Sequence, residues 1–249
     1  MRSLVAAELL KLRTTRMLAV CAGVAAAFAA ALPIIDGLMA GHHGNPDLAP
    51  SSLADFLRAP AQVSGAAVLL IGLLTATAEF HHRTIVSARL EEPRTTRLLT
   101  AKIVTVAAAG LVVGVAMELV SAVVGSAVLA HHGIAVQPLA HGVPRLSLVL
   151  PVVIAVQGIL GVAVGALLRN SAAAVGATLV WAFVIEGVIP SVTNQPHVTS
   201  WLPSGAIREV ISTHTAPGQL VPVAAAALLL AYAAALITTT VLLDRSREI

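Results

Sequence analysis

Residues 79–102 read EFHHRTIVSARLEEPRTTRLLTAK, a polar and basic island between two long apolar stretches. That contrast decides the fold. The runs on either side, Ala61 to Ala78 and Ala101 to Ala130, are as apolar as helices in hydrocarbon must be. Glu79 to Glu92 instead carries polar groups on every side of a helix, so it cannot cross. Pro93, which lacks an amide donor, ends it. What remains is a short charged helix followed by a basic entry, Arg94 to Lys102, into the next span. Phe80, Ile85, Val86 and Leu90 gather on no single stripe, so the helix is a poor fit for lying flat on lipid. Contact with a docked protein accounts for them better.

The rest of the chain has the same character. It is 57% hydrophobic and 11% charged, with a mean hydropathy of +0.91, which places it with integral membrane proteins. Six apolar runs are long enough to span a bilayer: Met17 to Met39, Ala61 to Ala78, Ala101 to Ala130, Leu146 to Leu168, Ser171 to Ile189 and Leu220 to Leu243. Barrel strands would alternate in shorter pieces. The expected fold is therefore all-α: six transmembrane helices over residues 17–243, an N-terminal interfacial helix over 1–16, the short helix between spans two and three, and a tail over 244–249.

Lysines and arginines set the orientation. With the N-terminus inside, twelve fall on the cytoplasmic side and three, Arg58, Arg145 and Arg208, on the outer side. This bias places both termini and the Glu79 island in the cytoplasm. The net charge of +3 thus reports topology, and nucleic acid is not expected as a partner.

The leader is too long and too charged for a signal peptide. With Val5, Leu9 and Leu12 on one side and Arg2, Lys11 and Arg13 elsewhere, it reads as an interfacial helix. RTTR occurs at Arg13 to Arg16 and again at Arg94 to Arg97, each time before a span that leaves the cytoplasm. Lys11, Arg13, Arg16, Arg94, Arg97 and Lys102 are expected to anchor to anionic headgroups of the bilayer. The single cysteine, Cys21, excludes an intrachain disulfide and a Cys-based metal site.

Enzyme chemistry finds no support. The chain contains no G-x-x-x-x-G-K-[ST] phosphate loop, no H-E-x-x-H and no G-x-S-x-G elbow. Seven of nine histidines, His42, His43, His131, His132, His141, His197 and His214, fall on the outer side, where they read as solvated loop residues with no metal to hold.

Within the spans, Glu118 is the deepest charge. Counted at 1.5 Å per residue from the outer span ends, Glu118 lies roughly 18 Å in and Gln157 of the fourth span roughly 17 Å in. They are expected to share a depth, either as an interhelical polar pair or as part of a substrate path. Asp36 and Glu186 fall near headgroup level. Gly110, Gly114, Gly158, Gly161 and Gly165 would permit close helix approach, within one subunit or at a dimer seam. The outer segments Ala40 to Pro60 and Pro190 to Gln219 are too short for a soluble domain, although Ala206 to Ser212 is expected to form a short helix, with Trp201 at the interface.

Across nearly its whole length the chain resembles the six-span permeases of bacterial type-2 ATP-binding cassette exporters. The features carrying the resemblance are the leader ending ELLKLRTTR at Glu8 to Arg16, Glu79 with Thr84 and Ile85, then Pro93, Arg94 and Lys102, the tight Arg169-Asn170 turn, and Leu202-Pro203-Ser204-Gly205 before the last span. The resemblance implies a second permease subunit and a separate ATPase dimer that holds the ATP and magnesium, with no cofactor in this chain. It implies that Glu79, Phe80, His81, His82, Arg83, Thr84, Ile85 and Arg89 belong to a coupling helix at the ATPase. It further implies residence in the bacterial cytoplasmic membrane and export of a hydrophobic or amphipathic substrate such as a drug, lipid or peptide antibiotic. Two alternatives stay open: a secondary transporter with Glu118 as proton carrier, and a membrane anchor or immunity protein that moves nothing.

Overall fold

The computed structural model describes residues 2–14, 16–42, 47–81, 95–193, 196–212 and 219–247, and among them every regular element is helical. In chain order these are α1 (Arg2–Thr14), α2 (Arg16–Met39), α3 (Ser52–His81), α4 (Thr95–His131), α5 (Val143–Leu168), α6 (Ser171–Leu179), a π-helical turn (Val180–Ile185), α7 (Glu186–Thr193), α8 (Pro196–Ser200), α9 (Pro203–Ile211) and α10 (Pro222–Arg247). Six stretches are long and apolar enough to cross a membrane: Leu18–Met39, Ser52–Ala78, Thr96–His131, Val143–Leu168, Ser171–Ile189 and Pro222–Leu243. Large hydrophobic side chains such as Leu38, Val112, Leu148, Phe183 and Val223 point outward along them, as they would toward lipid.

The second span begins at Ser52, nine residues before the expected Ala61. Pro60 does not break the helix, and the reason lies in the neighbouring helix. A proline at 60 removes the amide that would bond the Phe56 carbonyl. The Ser121 hydroxyl of α4 donates to that carbonyl instead, at 2.5 Å and fully buried. The charges in the first turns are also satisfied locally, because Arg58 pairs with Asp55 at 2.6 Å.

Helices α3, α4 and α5 form the packed centre. Along the α3–α5 seam, Gly65 meets Gln157, Gly161 meets the Leu69 carbonyl and Gly165 meets the Leu73 carbonyl, steps of four residues that run in the same direction on both helices. The two are therefore parallel neighbours, with backbones close enough that a methyl group at 161 would strike carbonyl oxygen. Helix α4 runs antiparallel to α5, with Gly110 against Ala155 and Gly114 against Pro151. The glycines thus serve packing inside one subunit, which resolves the choice between internal packing and a dimer seam.

At one end of the bundle, called here the near end, α5 stops at Arg169 in a left-handed conformation (φ 55°), and Asn170 caps α6 by accepting from the Ala173 amide at 3.1 Å. The Ser171 hydroxyl donates to Thr77 at 3.0 Å, fastening α6 to α3. At the far end, α8 and α9 fold back into the bundle. Tyr232, ten residues into α10, donates to the Trp201 carbonyl at 2.8 Å, so the turn between α8 and α9 lies well inside the level at which α10 begins. The fifth span is the least buried of the six, and its π-helical turn places the Trp181 indole N–H 2.7 Å from Glu186.

Candidate functional site

On helix α1 Leu9 is exposed, whereas Glu8 is buried at 2% exposure. The inward face runs through Val5, Glu8 and Leu12, at three-residue and then four-residue steps. A carboxylate is tolerated there because two ammonium groups neutralise it. Lys102 Nζ of α4 donates to Glu8 Oε2 at 2.9 Å, and Lys11 Nζ donates to Oε1 at 2.7 Å. Lys102 is itself only 5% exposed, whereas Lys11 keeps half its side chain in the open. One turn on, Leu12 enters a buried cluster with Ile71, Leu99, Val106 and Val162, so α1 is held to α4 by apolar contact as well as by charge.

Lys102 is thus a buried partner of Glu8 and not a group at the headgroups, while Lys11 pairs with Glu8 and stays half exposed. Arg16 and Arg97 are exposed. The Arg13 side chain and Arg94 lie outside the described residues. So do the side chains of Glu79, Phe80 and His81, and all of His82, Arg83, Thr84, Ile85 and Arg89. What the structure does place is the frame of that segment. It leaves from the near end of α3 and rejoins at Thr95, seven residues or about two turns before Lys102. The buried ion cluster therefore sits just inside the point where the island re-enters the bundle.

Glu118 and Gln157 do not form the expected pair. The contacts of Gly110 with Ala155 and of Gly114 with Pro151 put Glu118 opposite Ser147 and Gln157 opposite Ala108, a separation of ten residues or about 15 Å along the axis. Counting from the span ends failed because α4 overshoots the start of α5 at the far end. Gln157 is buried in the slot over Gly65 on the α3–α5 seam. Glu118 is half-buried and borders a small cavity of about 10 Å³ with Pro60, Met117, Leu150 and Ile154, and no hydrogen bond joins it to Gln157.

At the far end, two of the three arginines of the minority side, Arg58 and Arg145, have structural partners. The last carbonyls of a helix lack intrahelical donors, and those of α9 are met from two neighbouring spans. Arg58 Nε donates to Ile211 O at 3.1 Å. Arg145 donates to Ser212 O at 2.7 Å and to Val210 O at 2.9 Å. The buried Glu209 accepts from Ser200 at 2.9 Å, joining α9 to α8, and Glu186 accepts from the Ser204 amide at 3.4 Å. Glu186 is thus a link between span five and the re-entrant pair. The rings of His131 and His132 stand edge to face, 5.7 Å apart, and among the described residues no three His, Cys, Asp or Glu side chains group as a metal site.

Of two residues that carry much of this arrangement, Glu8 enters the sequence reading only as the first residue of the leader motif, with no role of its own, and Ser121 does not enter it. A carboxylate three residues before a lysine in an otherwise basic leader, and a serine in a span facing a proline-bearing one, were the available signals. No family model matches the chain, and no curated protein matches it. The class defined by the fold is a multi-pass α-helical membrane protein.

Proposed function

We propose that this chain is the permease subunit of a type-2 ATP-binding cassette exporter, which works with a second permease subunit and a separate ATPase dimer that holds the ATP and magnesium. The observation that carries this reading is the buried Glu8–Lys102 contact. It makes one rigid unit of the leader helix and the entry to the third span, the two elements that flank the basic island. A force delivered to that island by a docked motor reaches α4 directly, and the leader helix moves with it. The re-entrant α8–α9 pair supports the same reading, since it covers the far end and would act as the exit side of an alternating path. The lysine and arginine bias puts the near end in the cytoplasm, where ATP is available.

The exposed fifth span offers an apolar face to a second permease, and the spans suit a hydrophobic or amphipathic substrate. Affinity purification of the tagged chain from its native membrane tests the proposal. Recovery of a soluble chain with a phosphate loop and ATPase activity is expected. A chain recovered alone, active under an ion gradient, would contradict it.

A further inference from the structure

Beyond this reading, we propose that the far end carries a binding site for a phosphate ester, in a cavity of about 460 Å³ between the start of α3 and α9. It is lined by Asp55, Arg58 and Gln62 of α3, by Arg208 of α9 and by Ser212 just beyond it. The charges do not balance within it. Asp55 is paired with Arg58 at 2.6 Å, and Arg58 is also fixed by the Ile211 carbonyl, so its guanidinium is rigidly held. Arg208, in the last turn of α9, is exposed and makes no hydrogen bond or ion pair with any described residue. The site is therefore lined by two guanidiniums, that of Arg58 held by its own partners and that of Arg208 paired with no described residue, with an amide donor at Gln62. Guanidinium groups recognise phosphate oxygens through paired, charge-assisted hydrogen bonds.

The depth suits a headgroup. Arg58 is six residues into the second span, about 9 Å from its start at Ser52, at a level where the phosphate of a phospholipid lies within reach. A soluble phosphate ester offers the same chemistry. The Arg208 guanidinium, which no described carboxylate pairs, favours an anionic ligand over a zwitterionic one.

The test uses the full chain, stripped of lipid in a neutral detergent. Short-chain phosphatidylglycerol or phosphatidylcholine is titrated in, bound lipid is counted by native mass spectrometry, and inorganic phosphate serves as competitor. Arg208→Gln is expected to weaken phosphatidylglycerol binding about tenfold and to leave phosphatidylcholine unchanged, the loss that goes with one charge-assisted contact. Displacement of the lipid by inorganic phosphate would assign the site to soluble esters; resistance to displacement would assign it to lipid. Equal phosphatidylglycerol affinity in wild type and Arg208→Gln would overturn the site. Should that variant fail to fold, Gln62→Ala carries the test, with a smaller loss expected and unchanged binding overturning the proposal.

Discussion

Lys102 Nζ lies 2.9 Å from Glu8 Oε2, both side chains buried, across a separation of 94 residues. The contact ties a helix that precedes the first span to the start of the third. Removing two charges from water is costly, and the cost is recovered only when each finds its partner in good geometry. A pair placed this way acts as a latch whose loss harms more than its presence helps.

Glu8→Ala leaves Lys102 buried without its carboxylate and is expected to destabilise the folded protein by about 3 kcal/mol. Replacing both partners by apolar residues, Glu8→Leu with Lys102→Met, removes the buried charge and is expected to recover most of that loss. Thermal unfolding in detergent reads both. Equal stabilities for wild type and Glu8→Ala would mean that the latch is not formed.

Ser121 replaces the hydrogen bond that Pro60 takes away from Phe56. Ser121→Ala is expected to cost about 1 kcal/mol, in the range measured for interhelical hydrogen bonds in membranes. The cost should nearly vanish in a Pro60→Ala background, where the new amide can serve the same carbonyl. A double-mutant cycle in an unfolding assay checks this, and additive losses would contradict the pairing.

A methyl group at Gly161 would meet the Leu69 carbonyl, whereas one at Gly176 meets nothing within 4 Å. Gly161→Ala is accordingly expected to destabilise by about 2 kcal/mol through overpacking. Gly176→Ala should leave stability unchanged or raise it by up to about 1 kcal/mol through helix propensity. The comparison reads the α3–α5 seam directly, because the two substitutions are chemically identical.

Glu118 is half-buried beside a cavity too small for more than a water molecule, about 15 Å from Gln157 along the axis. Glu118→Gln is therefore expected to leave ATP-driven transport at the wild-type rate in reconstituted vesicles. Abolished transport with normal assembly would return Glu118 to the substrate path or to proton carriage.

The spans were legible because hydrocarbon demands long uninterrupted apolar helices, and composition alone reports that. Their ends were less so. Ser52 to Pro60 looked like a loop because Asp55, Arg58 and Pro60 disfavour a membrane helix in isolation, and only Ser121 and the Asp55–Arg58 pair reconcile them with one. The role of Glu8 escaped notice for a related reason: an apolar stripe is a local pattern, and the lysine that draws Glu8 inward sits in another helix. Helix register was beyond sequence counting, since it is fixed by where glycines let backbones touch, not by where spans begin. Of the proposed coupling site, the flanks Lys11 and Lys102 are placed, and Glu79 to Arg89 rests on sequence.

The most direct measurement is co-purification of the tagged chain with an ATPase subunit from native membrane, repeated with charge reversal at Glu79 and Arg83. Wild type should bring down a soluble chain carrying a phosphate loop, with ATPase activity, and the Glu79→Lys, Arg83→Glu variant should lose both while remaining folded in the membrane. A wild-type chain that purifies without any such partner, or a variant that retains partner and activity in full, would contradict the exporter assignment or its coupling site respectively.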